Sequence, residues 1–401
     1  MMISVEEARA RILAAFAATG GETVALSEAV GRVSAAPIVA RLTQPPADVS
    51  AMDGYAVRAA DGVAGARLRL IGSAPAGHPF AGEIGPGESV RIFTGSIVPA
   101  GGEAVLLQED AAEAGGMVEV REAVRPGQHI RRQGQDFRAG DVVIPAAKRL
   151  TPRDIGLAAA ANHPWLAVHR APRVAILATG DEIALPGEPI PPGGIVSSNA
   201  HALAALVRQH GGVAVILPIA PDDAAAIAGA AAGVGGFDLL LTTGGASVGA
   251  HDLVQPALAA CGMVVDFWRI AMRPGKPLMF GRLGATPVLG LPGNPVSAFI
   301  CAVLFLLPAL ARLRGLADAP LPLWTARTGT ALRANDRRFE FLRARLEQRP
   351  DGLVVSAFPS QDSAVQSLLA EADALILRPP HAPALEAGGE VEVIRLDLAG
   401  A

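Results

Sequence analysis

The chain has 401 residues, carries a formal net charge of −4, and is 51% hydrophobic but only 4% aromatic. That length holds roughly two to four domains, with cores built of Val, Leu, Ile and Ala. The charge argues against a general nucleic-acid or membrane-surface binder. The two cysteines, Cys261 and Cys301, make no disulfide framework and suit a reducing cytosol.

In chain order, the N-terminal SVEEARARILAAF has acids and arginines where a signal peptide needs an apolar core. Ser4 to Glu7 reads as a capping box, and Val5, Ala8, Ile12 and Phe16 give a helical stripe. The segment SAMDGYA (50–56) follows, holding the sole tyrosine, Tyr55, beside Asp53 and Gly54. By spacing alone, Asp53-Gly54 reads as a structural turn more readily than as a presented acid. From Ala66 to Arg138, short β segments cut by Gly and Pro (RLRLIGSA, ESVRIFTGSIV, EAVLLQED, MVEVREAV) predict a small β-rich module. Leu150–Ala161 predicts a helix with Thr151 as N-cap and Pro152 at its first position, and Arg170–Arg173 looks like a linker.

Arg173–Gly315 alternates strands and helices. Val174–Ala178 is a buried strand leading to Thr179, Gly180, Asp181 and Glu182. Asn199 is expected to cap the helix Ala200–His210. Val213–Leu217 is the next strand, followed by Asp222, Asp223 and an alanine-rich helix. FDLLLTTGGASVGAHD (237–252) is a buried strand breaking into a glycine loop, with Asp252 at the same mouth. A hairpin through Val264–Phe280 carries Arg269, Arg273 and Lys276. In PVLGLPGNPVSAF (287–299), Asn294 is expected to cap a helix that Pro295 opens. Ala298–Leu310 is apolar but short for a bilayer span and contains Pro308, which favours a buried helix. Such repeated βα units imply an open, mostly parallel sheet with ligands outside the strand C-termini. After the Pro-rich APLPL (319–323), the segments LWTARTG, RFEFLRARLEQR, LVVSAF, ALILRP and EVEVIRLDL predict a small β-barrel or sandwich.

The loops after successive strands thus bring Asp181/Glu182, Asp222 and Asp252 toward one edge. Converging carboxylates suit Mg²⁺, which takes oxygen ligands and bridges to phosphate. Thr179-Gly180, Thr243-Gly244-Gly245 with Ser247, and Gly293-Asn294 offer donors to a phosphate, and Arg269, Arg273 and Lys276 offer cations to an oxyanion. Taken singly, each acid is more often a helix cap than a ligand and each base more often a surface charge; the joint pattern favours an anion-plus-Mg²⁺ site. No Ser-His-Asp or Cys-His arrangement, CxxC or HExxH is suggested, and His251 reads as a turn residue.

Six segments in order, SAMDGYA (50–56), TGS (94–96), ATGDE (178–182), GGASVG (244–249), RPGKP (273–277) and LPGNPVS (291–297), resemble the MoeA family of molybdopterin molybdenumtransferases, related to the E domain of gephyrin. The resemblance covers nearly the whole chain. It implies a multi-domain α/β plus β fold: a mostly parallel three-layer molybdopterin-binding domain, a helical domain carrying an inserted β-rich module, and a C-terminal small β-barrel. The expected partition is 1–24, 45–58 and 141–170 for domain I, 25–44 and 59–140 for domain II, 171–318 for domain III and 319–401 for domain IV.

The same resemblance implies insertion of molybdate into the dithiolene of adenylylated molybdopterin, with Mg²⁺ and release of AMP, by a cytoplasmic homodimer. Small molecules are the expected ligands and the molybdopterin adenylyltransferase a candidate partner, with no nucleic acid or membrane. Glu182, Asp222 and Asp252 match the family's functional acids and are the expected Mg²⁺ ligands. Asp53, Thr94, Arg269, Arg273 and Lys276 join them as catalytic, Asp53 and Thr94 reaching the cleft of the other subunit. Thr179, Gly180, Asp181, Gly244, Gly245, Ser247, Gly249, Pro292, Gly293, Asn294, Ser297, Arg343 and Ser363 are the expected substrate contacts. Arg269 and Arg273 stand where the family often has lysine, replacing a point charge by a planar fork. Asp362, before Ser363, replaces a common glycine. The alternatives are a molybdopterin adenylyltransferase, against which the MDGY segment and both β modules count, and a non-enzymatic dimeric scaffold.

Overall fold

The computed structural model describes residues 2–244, 253–316 and 321–396. Its centre is a six-stranded sheet in the order 213–216, 173–178, 239–243, 286–291, 277–283, 263–269. The first four strands are parallel, and the last two close the edge as the expected antiparallel hairpin. Strand residues alternate between the two faces, as a pleat demands. Val174, Ile176, Leu239 and Leu241 pack under the helices Asn199–Gln209 and Pro295–Leu313 on one side. Ala175, Leu177 and Leu240 pack under Ala224–Ala232 and Val254–Ala260 on the other. Both faces are covered, so these strands are apolar throughout.

The helical run Pro295–Leu313 is the one helix among the described residues long and apolar enough to cross a membrane, and 78% of its apolar window is buried in protein. It is a core helix, as its interrupted sequence suggests. Pro308 has no N–H for the turn before it and its ring crowds the carbonyl four residues back. The chain meets this with a π turn at Ala302–Leu306, just ahead of the proline. The N-terminal helix Val5–Ala14 buries Val5, Ala8 and Ile12 against this same layer, and Phe16, just past its end, completes the expected stripe. Ser4 caps it, accepting from the Glu7 N–H at 3.1 Å. The Glu7 carboxylate turns to Arg11 at 2.6 Å, so only half of the expected capping box forms.

Residues around the sheet's N-terminal end make a small second core from Val24, Ala29, Ile38, Ile144, Leu150, Ala158, Leu166 and Val168. The helix in it, Pro152–Ala160, has a full capping box between Thr151 and Asp154. Arg170–Arg173 is more than a linker: Arg170 grips Asp238 with two hydrogen bonds of 2.8 and 2.9 Å, and the Arg173 N–H donates to the same carboxylate at 2.7 Å.

The β-rich module is a six-stranded sheet in the order 104–107, 54–57, 88–92, 67–74, 117–120, 111–114. The reading of Asp53-Gly54 as a turn is corrected here. Gly54–Val57 is an interior strand, hydrogen-bonded to 88–92 on one side and 104–107 on the other. A Cβ on Gly54 would lie 1.9 Å from the Leu106 carbonyl oxygen, so the glycine serves close strand approach. The C-terminal segments close into a five-stranded barrel through pairing of 339–349 with 374–378. Met272–Arg273 of the central hairpin adds onto the start of 339–349 in parallel, joining barrel to sheet.

Candidate active-site cleft

The chain crosses from strand 173–178 to 213–216 on one side and then to 239–243 on the other, so the connections part at the C-terminal ends of these strands. A cleft of about 870 Å³ opens there. Its walls hold Thr179, Gly180 and Glu182 from the first loop, Asp222 from the second, Thr243 and Gly244 from the third, and Pro292, Gly293, Asn294 and Ser297 from the fourth. Loops distant in sequence therefore share one hollow.

Backbone geometry makes this possible. Gly180 has φ +147° and Gly244 φ +90°, conformations that L side chains rarely adopt. A Cβ on Gly180 would sit 2.5 Å from a Glu182 carboxylate oxygen, and one on Gly293 only 3.7 Å from the Gly244 Cα. Thr179 bridges to Ala220, and Asp181 accepts from the Asp222 N–H at 3.0 Å. Asp181 is thus spent on pinning the next loop, which leaves the Glu182 and Asp222 carboxylates in the wall. These two offer oxygen donors of the kind a hard divalent cation takes. The third acid expected with them, Asp252, lies outside the described residues, as do Gly245, Ser247, Gly249 and His251. Among the described residues no group of three His, Cys, Asp or Glu side chains is placed to hold a metal.

Two asparagines expected as helix caps do other work. Asn294 stands at the cap position of Pro295–Cys301 but makes no side-chain cap bond; it donates to Ser363 Oγ at 2.9 Å, bringing that barrel residue to the cleft rim. Asn199 lies inside its helix and donates to Thr243 Oγ1 and the Gly293 carbonyl. Sequence reasoning missed Asn199 as a site residue because caps and sites recruit the same side chains.

The remaining expected residues lie elsewhere. Arg343 is buried, and its guanidinium donates to the carbonyls of Val365, Ser360 and Asp362. It shapes the loop that presents Ser363, instead of facing the cleft, and burial lowers its pKa. Arg273 pairs with Glu340 at 2.6 Å and Asp336 at 3.7 Å and borders a separate cavity of about 630 Å³ between hairpin and barrel. Arg269 and Lys276 are exposed on the same hairpin, whose Pro277 reaches the cleft. Asp53 and Thr94 meet each other in the β-rich module, away from this wall. Asp53 Oδ1 accepts from the Thr94 N–H at 2.7 Å and its hydroxyl at 2.8 Å. The backbone bond above all, then the hydroxyl, holds the Asp53 carboxyl below the usual carboxylate range. Of the two cysteines, Cys301 is buried and its thiol pKa is pushed up by burial; Cys261 is exposed and free.

Residues 3–162 match the MoeA N-terminal region (domain I and II), 175–312 a probable molybdopterin binding domain, and 325–396 the MoeA C-terminal region (domain IV). A molybdopterin molybdenumtransferase 2 of Mycobacterium tuberculosis is 36% identical over 404 aligned residues, spanning 98% of this chain and 99% of its own. The chain belongs to the MoeA family. A second MoeA relative, the molybdopterin molybdenumtransferase of Nostoc sp., is 34% identical, with 94% of this chain and 89% of its own covered. The crystal structure of a molybdopterin biosynthesis MoeA protein from Pyrococcus horikosii superposes with a TM-score of 0.86 at 29% identity, covering 98% of this chain and 99% of that one. The MoeA fold, with its several domains and C-terminal barrel, is therefore that of this chain.

Proposed function

We propose that this protein is a transferase of molybdenum cofactor biosynthesis that inserts molybdate into the dithiolene of adenylylated molybdopterin, with Mg²⁺, and releases AMP. The observation that carries this reading is the shared cleft: glycine backbones from three loops beside the Glu182 and Asp222 carboxylates, at the switch point of the sheet. The relatives named as molybdopterin molybdenumtransferases support it.

Glu182 and Asp222, with Asp252, are the proposed Mg²⁺ ligands, and the ion would supply charge neutralisation at the substrate's pyrophosphate. Gly244 and Gly293 bring backbone to the cleft wall, where N–H groups can approach the phosphates. Asp181 keeps the Asp222 loop in register through its hydrogen bond to the Asp222 N–H. Ser297 and the Asn294–Ser363 pair line the rim. Lys276, Arg269 and Arg273 are the proposed cations near the oxyanion, with Arg273 already held by two acids. We further propose a cytoplasmic homodimer in which the Asp53–Thr94 pair completes the cleft of the second copy, and the adenylyltransferase as the protein that hands over the substrate.

Incubation with adenylylated molybdopterin, molybdate and Mg²⁺ tests the reading. AMP release should require molybdate, and Asp222→Asn should cut it by about 10²-fold or more while the fold is kept. AMP release without molybdate, or full activity in Asp222→Asn, overturns it.

A further inference from the structure

The two glycine loops of the cleft, at Gly244 and Gly293, run close together, so that a Cβ on Gly293 would reach van der Waals contact with the Gly244 Cα at 3.7 Å. Neither carries a side chain that could fix it to the other. The tie comes from a third element. Asn199, in the first turn of the helix 199–209, donates through Nδ2 to Thr243 Oγ1 at 2.8 Å and to the Gly293 carbonyl at 2.7 Å.

The orientation of this amide follows from chemistry. A peptide carbonyl only accepts, so the Asn199 atom facing Gly293 must be the –NH₂. Both of its hydrogens are then in use. The Asn199 Oδ1 takes no hydrogen bond from the described residues, and Asn199 lines the cleft. An amide oxygen has lone pairs and no proton, so it meets a hydrogen-bond donor or a cation.

We infer that Asn199 is a positioning residue of the cleft: its –NH₂ holds the two glycine loops against each other, and its carbonyl oxygen accepts from an N–H of the bound heterocycle. The inference rests on the reading of the cleft as a site for a pterin nucleotide, whose rings carry amine and ring N–H donors. It assigns Asn199 a part in selecting a ligand that presents such a donor, over one that presents only acceptors.

Two measurements on the full-length protein separate the inference from that reading. In ligand-free Asn199→Ala, backbone amide hydrogen exchange around Thr243 and Gly293 should quicken several-fold; unchanged exchange overturns the clamp whether or not the functional reading stands. In binding, Asn199→Ala should raise the Kd for adenylylated molybdopterin about tenfold or more. The molybdate KM should stay within about twofold and the melting temperature near that of the unaltered protein. Asn199→Asp keeps an acceptor but cannot donate to Gly293, so it should show the quickened exchange too. Asn199→Ser serves should the alanine variant fail to fold. Unchanged affinity, or a uniform loss in affinity, molybdate KM and melting temperature together, overturns the inference. If the unaltered protein itself fails to bind adenylylated molybdopterin, the functional reading falls and the substrate-facing part of the inference falls with it.

Discussion

At the scale of single residues, Gly54 shows what an unoccupied Cβ position can decide. Its strand is bonded on both sides, so neither neighbour can retreat from a methyl group 1.9 Å from the Leu106 carbonyl. Gly54→Ala should therefore cost about 2–4 kcal/mol of stability in urea unfolding, and a loss under about 0.5 kcal/mol would show that the strands can part. This residue was hard to read in the sequence because Asp-Gly is also the commonest turn signal. The acids were easier. Glu182 follows a buried strand and Asp222 the edge strand beside it, and strand ends of an open parallel sheet lead to one crevice. Arg343 was opaque for a different reason: a guanidinium spent on three carbonyls looks, in sequence, like one waiting for an anion.

At the scale of elements, the helix Pro152–Ala160 was legible because its start is written in three residues, Thr151, Pro152 and Asp154. Asp154 is buried, which on its own would raise its pKa. Hydrogen bonds from Lys148 at 2.5 Å and from the Thr151 hydroxyl and N–H outweigh that and hold it lowered. A depressed carboxylate lends stability that is in place above its unfolded pKa of about 3.9 and is lost as pH falls through the lower folded value. Thr151→Ala should cost about 1 kcal/mol near neutral pH, and its gap from the unaltered protein should narrow below about pH 4 in chemical unfolding followed against pH. A gap that widens on acidification would contradict this. Strand pairing was less readable than strand position. The barrel segments stand out by alternation, but nothing local announces that 339–349 also pairs with 374–378 to shut the ring.

At the scale of the whole molecule, the barrel joins the α/β body along an apolar seam, where Phe341, Leu375 and Ile394 share the core of the central sheet, and through a few polar ties. Met272–Arg273 pairs with Phe339–Glu340, Arg273 bridges to Glu340 and Asp336, and Asn294 reaches Ser363. Arg273→Ala removes both ion pairs of a half-exposed guanidinium, each worth little in water. Its stability loss should be within about 1 kcal/mol, yet amide hydrogen exchange at Phe339, whose N–H donates to the Ala271 carbonyl at 2.9 Å, should quicken because the strand pairing has lost its ion pairs. Unchanged exchange would show that the backbone pairing and the apolar seam suffice. Sequence motifs on either side of this junction were visible, but their meeting depends on long-range packing that no short window encodes.

The long core helix Pro295–Leu313 begins beside Asn294 at the cleft and ends at Arg314, whose guanidinium donates to the carbonyls of His210 and Gly31. At about 1.5 Å per residue it is a stiff rod joining the mouth of the hollow to the seam with the N-terminal core. A ligand wedging the rim apart would load that seam through the helix, and the π turn in mid-shaft, where the regular hydrogen-bond ladder is interrupted, is where such a rod would twist first.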